Sequence, residues 1–148
     1  MYKRILVATD GSKLSEAAVE HALNLADLTG AEVVALKVVP LYPQTYFEGG
    51  VGVDADEIKR IEQQWQSEAL LVVNAIKSEG QKRQIKVKAT TAKSDLVSEA
   101  IITTAKRNKC DLIVMASHGR QGVKALVLGS VAQKVLTHTR LPVLIVKD

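Results

Sequence analysis

The sequence predicts a single α/β domain over residues 1–148, a doubly wound parallel sheet of five strands with helices on both faces. Two observations carry this. Apolar, β-branched runs alternate with amphipathic segments of helical length, in the order β-α-β-α-β-α-β-α-β. Most of the runs are continuously apolar, as strands buried on both faces require. No repeat, linker or low-complexity block interrupts the alternation, and a chain of 148 residues suits one core.

Arg4–Thr9 opens the chain as a short apolar strand that ends at the turn cluster Asp10-Gly11-Ser12. Ser12 is placed to cap a first helix, in which Ala17, Ala18, His21, Ala22, Leu25 and Leu28 recur at helical spacing until Thr29-Gly30 stops it. Glu32–Val39 is a second buried strand closed by Pro40. A long helix follows from Asp54 to Gly80, with Ile58, Ile61, Trp65, Ala69, Val72 and Ile76 on one stripe and Gly80 expected as its C-cap. Gln84–Thr91 alternates through Ile85, Val87 and Ala89 as a half-buried third strand. Ser94-Asp95 is expected to cap a third helix running through Leu96, Ala100, Ile101 and Ala105. The Asp111–Ala116 strand comes next, then a Gly-bearing loop, a helix to about Thr139 and a last strand, Pro142–Lys147.

Twenty basic and sixteen acidic residues leave a net charge of +4. They are interspersed, with no long basic run or aromatic-studded basic stripe, so mixed surface charge is expected rather than a nucleic-acid surface. Cys110 is alone, which excludes an intrachain disulfide and fits a reducing compartment. It reads as a small buried thiol, because nothing near it in sequence would activate a nucleophile. The chain starts directly on a strand and carries no apolar run long enough to span a bilayer. A cytoplasmic protein without membrane contact is expected.

Function is read at Ala116-Ser117-His118-Gly119, nine further residues, then Gly129-Ser130. A strand that ends in small residues, followed by Gly-Ser at the start of a helix, can wrap a phosphate. Glycine admits main-chain N–H groups close to an anion, and the helix N-terminus adds unpaired donors and a favourable dipole. In an open α/β sheet, ligands sit where the winding reverses. A strand order of 3-2-1-4-5 would bring the Thr9–Ser12 and Ala116–Gly119 turns to one crevice. Asp10 then has two readings: an acceptor for ribose hydroxyls, or a turn residue that caps the first helix. The long Leu41–Val53 connection, rich in glycine, reads either as a surface loop or as a lid setting Tyr46 or Phe47 against a base.

These residues resemble the universal stress protein (UspA) family. Val7-Ala8-Thr9-Asp10-Gly11-Ser12, the Met115–Gly119 and Gly129-Ser130 segments and the closing Leu141-Pro142-Val143-Leu144-Ile145-Val146 match it in order from end to end. The resemblance implies the 3-2-1-4-5 sheet, an ATP-binding subclass and a homodimer. The family's ATP motif is Gly, two residues, Gly, nine residues, Gly, then Ser or Thr. Here Gly119, Gly129 and Ser130 match it, and Ala116 replaces the first Gly. By resemblance Asp10 meets the ribose, the Val38 backbone pairs with adenine, Ala8 and Met115 line the base pocket, and Gly119, Gly129, Ser130 and Val131 offer donors to the phosphates. Thr9 and Ala116 belong to the same two turns.

Other residues around the loop carry weaker signals. Arg120 and Lys124 are candidate phosphate charges, with a solvent-facing role as the alternative. His118 either touches phosphate or holds the loop. His21, His118 and His138 share no ligand spacing with Cys110, so any Mg²⁺ is expected to arrive with the nucleotide. No GxxxxGK loop, G-x-S-x-G elbow or obvious catalytic carboxylate pair is present. The reading is therefore an ATP-binding regulatory protein of the stress response that acts on an unidentified protein partner. A slow ATPase, a non-nucleotide interaction module and a flavodoxin-like protein are the competing readings.

Overall fold

The structure, a computed structural model, describes residues 1–43, 54–119 and 128–147. Its strands are β1 (Arg4–Ala8), β2 (Glu32–Val39), β3 (Val87–Lys93), β4 (Leu112–Ala116) and β5 (Val143–Val146). Its helices are α1 (Lys13–Thr29), α2 (Ala55–Lys82), α3 (Val97–Arg107) and α4 (Ser130–His138). The strands form one parallel sheet in the order β3-β2-β1-β4-β5. From β1 the chain builds outward to β3, then crosses back to place β4 on the other side of β1. The winding reverses between β1 and β4.

Two apolar layers hold the sheet. Alternate residues Ile5, Val7, Val33, Ala35, Val114 and Ala116 pack against Ala18, Ala22 and Leu23 of α1 and Val73 and Ile76 of α2. The intervening residues Leu6, Val34, Leu36, Ile113 and Met115 pack against Ile101 and Ala105 of α3 and Ala132 and Val135 of α4. Central strands buried on both faces account for the unbroken apolar runs.

The α1 boundaries follow local chemistry. Ser15 N donates to Ser12 Oγ at 3.3 Å, and Gly30 takes φ +74° and donates its N–H to the Ala26 carbonyl. Only a residue without Cβ adopts that left-handed conformation cheaply.

Three expectations need correction. Gly80 is not the C-cap of α2, which runs on to Lys82. The chain turns at Gln84, whose φ is +59°. Gly80 is instead a point of close approach: a Cβ there would collide with Val87 Cγ2 and lie 3.1 Å from the Ile85 carbonyl oxygen. The third strand starts at Val87 rather than Gln84, because its ladder begins opposite Val33 and runs to Lys93 opposite Val39. Ser94 and Asp95 do not supply a side-chain cap to α3, whose N-cap is Leu96. Ser94 Oγ accepts from Leu96 N at 3.0 Å, closing the preceding turn, and the Asp95 carboxylate accepts from Leu41 N at 3.1 Å. The stripe of α2 is also broader than expected, since Val73 is fully buried while Val72 is half-buried.

Candidate functional site

The site forms where β1 and β4 end side by side. After Ala8, the chain leaves β1 through Thr9, whose N–H donates to the Leu36 carbonyl at 2.9 Å. The turn then closes on its own side chains. Gly11 N donates to Thr9 Oγ1 at 3.1 Å and Ser12 N donates to Asp10 Oδ1 at 2.9 Å. Gly11 takes φ +81°, which the turn requires.

On the other side, Ser117 N donates to the Val146 carbonyl at 2.9 Å, carrying the end of β4 over β5. Ser117 Oγ lies 3.2 Å from His118 Nδ1, so the imidazole is held by its own loop. Gly119 then comes against Asp10: a Cβ on Gly119 would collide with Asp10 Oδ2 and lie 3.5 Å from its Cγ. The two small-residue turns are therefore in van der Waals contact across the crevice. Asp10 divides its oxygens, Oδ1 closing the turn and Oδ2 facing Gly119. Asp10 is a turn residue but not the cap of α1, which is Ser12.

The third element is the start of α4. Gly129 N donates to the Ser117 carbonyl at 2.7 Å, which joins the two ends of the intervening loop. Gly129 is the N-cap of α4 and gives no side-chain cap, and its carbonyl first accepts from Gln133 N. The amides of Ser130, Val131 and Ala132 thus stand at the uncapped positive end of the helix.

Between these elements lies a cavity of about 780 Å³. Ala8, Thr9, Asp10, Val38, Met115, Ala116, His118, Gly119, Gly129, Ser130 and Val131 all line it. Arg120, the remaining expected site residue, lies outside the described residues, as do Tyr46, Phe47 and Lys124. The walls differ in character. Val38, Pro40, Val97, Ile101, Met115 and Leu128 make an apolar wall, while Thr9, Asp10, Ser15 and Lys37 make a polar one. A crevice of this size, largely apolar with a few convergent polar groups, suits a small-molecule ligand.

Ala116 departs from the family's glycine without obstructing the fold. Gln84 and Lys109 are the only non-glycine residues of positive φ among the described residues, so Ala116 keeps an ordinary backbone. It belongs to the apolar layer on the α1 side, whereas Met115 belongs to the opposite layer.

Sequence reasoning missed eight lining residues, Ser15, Leu36, Lys37, Pro40, Val97, Ile101, Leu128 and Ala132. Lys37 had a visible signal: it is the one interior charge in the apolar run of β2. Ser15 had none, because a serine in the first turn of a helix ordinarily faces water. Cys110 is buried, and burial pushes its thiol up to about 11, which keeps it in the unreactive form. Among the described residues no three His, Cys, Asp or Glu side chains converge as metal ligands, and no helix is long and apolar enough to cross a membrane.

Five parallel strands in this order, with a crevice at the winding reversal, define a doubly wound α/β domain of the kind that carries ligands at its carboxyl edge. The universal stress protein family matches residues 1–147, and the chain belongs to that family. It is 35% identical to universal stress protein MJ0531 of Methanocaldococcus jannaschii, over 99% of this chain and 83% of the relative. It is 30% identical to universal stress protein MJ0577 of the same organism, over 99% of this chain and 96% of the relative. The solved structure of MJ0577 superposes with a TM-score of 0.83, covering 100% of this chain and 97% of that one. Two more distant family structures, at 22% and 16% identity, share the fold with TM-scores of 0.70 and 0.69. The first is a complex with cAMP, covering 98% of this chain and 97% of that one. The second is an Arabidopsis thaliana protein with AMP bound, covering 99% of this chain and 92% of that one.

Proposed function

We propose that this universal stress protein binds ATP in the crevice and acts as a regulatory protein of the stress response, its nucleotide state altering its contacts with a protein partner. One observation carries the reading. The uncapped start of α4, the Gly119 turn and the Asp10 turn all line a single cavity together with the apolar residues Val38, Val97 and Met115, which supplies donors for phosphate, an acceptor for ribose and an apolar surface for the base.

Asp10 accepts from the ribose hydroxyls. The adenine lies against Ala8, Met115 and Val97, and the Val38 backbone pairs with its edge. The phosphates lie over the amides of Gly119, Gly129, Ser130 and Val131, where the α4 dipole favours negative charge. Ser130 adds its hydroxyl and His118 lines the same cavity; Arg120 is assigned to the phosphates from its place in the sequence alone. Mg²⁺ travels with the nucleotide, bound by its phosphates and water. The protein is cytoplasmic and pairs with a second copy through β5, whose outer edge has no neighbouring strand in the sheet.

The test is calorimetric titration of the purified protein with ATP, paired with mass identification of any small molecule released on denaturation. A saturable ATP isotherm is expected, weakened about ten-fold or more in Ser130→Ala, since a hydrogen bond to a charged acceptor contributes roughly 1.5–3 kcal/mol. An absent isotherm together with no released nucleotide would refute the reading.

A further inference from the structure

We infer that Ser15, in the first turn of α1, is a positioning residue that fixes the Asp10 carboxylate through the hydroxyl of Thr9. The inference rests on the proposed contact between Asp10 and ribose, and adds a residue that acts on that contact through Thr9.

The donors and acceptors determine the direction of the relay. Ser15 Oγ donates its one proton to the Ser12 carbonyl at 2.8 Å. The Thr9–Ser15 hydroxyl pair, 2.9 Å apart, must then have Thr9 as donor. Thr9 Oγ1 keeps its lone pairs for the Gly11 N–H at 3.1 Å. Both hydroxyl residues are largely buried, Thr9 at 8% exposure and Ser15 at 3%, and take their partners from the chain. The relay therefore holds residues 9, 11 and 12, the chain on both sides of Asp10. The Ser12 N–H, fixed by the same turn, sets the carboxylate itself through Oδ1.

The chemistry also separates this role from folding. The Ser12 carbonyl still accepts from Glu16 N at 3.0 Å if the Ser15 hydroxyl is removed, so the helix start keeps its first hydrogen bond. What is lost is the acceptor for Thr9. The Thr9 hydroxyl then turns to another acceptor, and that rotation moves the lone pairs that receive the Gly11 N–H.

The readout is sugar discrimination: affinity for ATP against 2′,3′-dideoxyATP, measured by calorimetry on the full chain. The wild type is expected to prefer ATP by about ten-fold or more. Ser15→Ala is expected to bring the preference within about three-fold while dideoxyATP affinity stays near wild type. The double variant Thr9→Val with Ser15→Ala removes both hydroxyls together, so it regains melting temperature without regaining the preference. It also carries the test if Ser15→Ala fails to fold. Ala26→Gly, buried in α1 far from the turn, is expected to lower the melting temperature and keep the preference. A wild-type preference in Ser15→Ala or in the double variant overturns the relay and leaves the ribose contact standing. A wild type that binds both nucleotides equally overturns the ribose contact and the relay with it.

Discussion

Substitution of Gly129 separates the two things the motif glycines do. Gly129 has φ −63° and ψ 160°, a conformation open to any L-residue, so backbone strain does not explain the glycine. Space does. A Cβ at this position would lie 3.1 Å from the Ser117 carbonyl oxygen, 3.2 Å from His118 Cα and 3.3 Å from His118 Cβ. Those atoms have little freedom to retreat, because Ser117 is tied to Val146 at 2.9 Å and to Gly129 itself at 2.7 Å. Gly129→Ala must push the Ser117-His118 segment and the start of α4 apart by a few tenths of an ångström. Overpacking of this kind costs about 1–3 kcal/mol. Reduced freedom of the unfolded chain returns about 0.4–1 kcal/mol.

A net loss of about 1 kcal/mol corresponds to about 2–5 °C in melting temperature for a chain of this size. The effect on ATP is expected to be larger. The displaced elements carry the amides that face phosphate, and losing one charge-assisted hydrogen bond contributes roughly 1.5–3 kcal/mol, or about 10- to 100-fold in affinity. Gly129→Val adds two further methyl groups to the same contact and should abolish measurable binding at a correspondingly lower melting temperature. Thermal unfolding by circular dichroism and ATP titration by calorimetry measure the two effects separately. Wild-type affinity in a folded Gly129→Ala protein would refute the claim that this helix start holds the phosphates.

Ala116→Gly should leave ATP affinity equal or modestly raised, because the Ala116 methyl packs in the layer on the α1 side; a loss of affinity on titration would show that this position does not correspond to the first motif glycine. Leu144→Lys with Val146→Lys should yield a folded monomer or an unstable one by light scattering, since Leu144 is 38% exposed on a short edge strand that carries no charge of its own while Val146 is buried in the layer on the α1 side; a wild-type protein that stays monomeric at high micromolar concentration would exclude the dimer. Acidification should also lower the melting temperature. The Arg83 guanidinium holds Glu20 below the usual carboxylate range, and Arg4 with Lys86 does the same for Glu32. A depressed carboxylate stabilises the fold above its unfolded value near 4.5 and loses that contribution as pH falls through the folded one. Glu20→Gln with Glu32→Gln should flatten this acid limb in a series of melts, and an unchanged limb would dismiss both pairs as contributors.

The parts of the fold legible in the sequence were those set by short-range chemistry. Ser12 and Gly30 bound α1 through contacts within four residues; β1, β2 and β4 showed as apolar runs because burial on both faces leaves little room for polar residues, and β3 showed by its alternation. The strand order was not legible this way; it was carried by the resemblance. Ser15 was hidden because its position depends on what crosses over it, which the order of residues does not state; Lys37 showed as a charge in an apolar run, but its place at the crevice did not. Lys37 sits beside Thr91 in register and beyond the end of β1, so it reaches the crevice where β1 has already turned away.

Glycine shows the limit most clearly, since one letter serves three physical purposes here. Gly30 supplies a positive φ, Gly80 admits Val87 to the surface of α2, and Gly119 and Gly129 admit Asp10 and the Ser117-His118 backbone. The last two are motif glycines, yet each already has a neighbour within this chain that a side chain would strike. Closing the loop would therefore require both glycines even in a protein without a ligand. The motif's spacing cannot by itself distinguish a phosphate cradle from a tightly closed turn. What favours a cradle is the start of α4, where no side chain caps the helix and Ser130, Val131 and Ala132 all line the cavity, whereas the equally uncapped start of α3 borders it only through Val97 and Ile101. Donors left at the positive end of a helix need an acceptor from outside the backbone. The case for an anionic ligand thus rests more on Ser130, Val131 and Ala132 than on the glycines that make the motif recognisable.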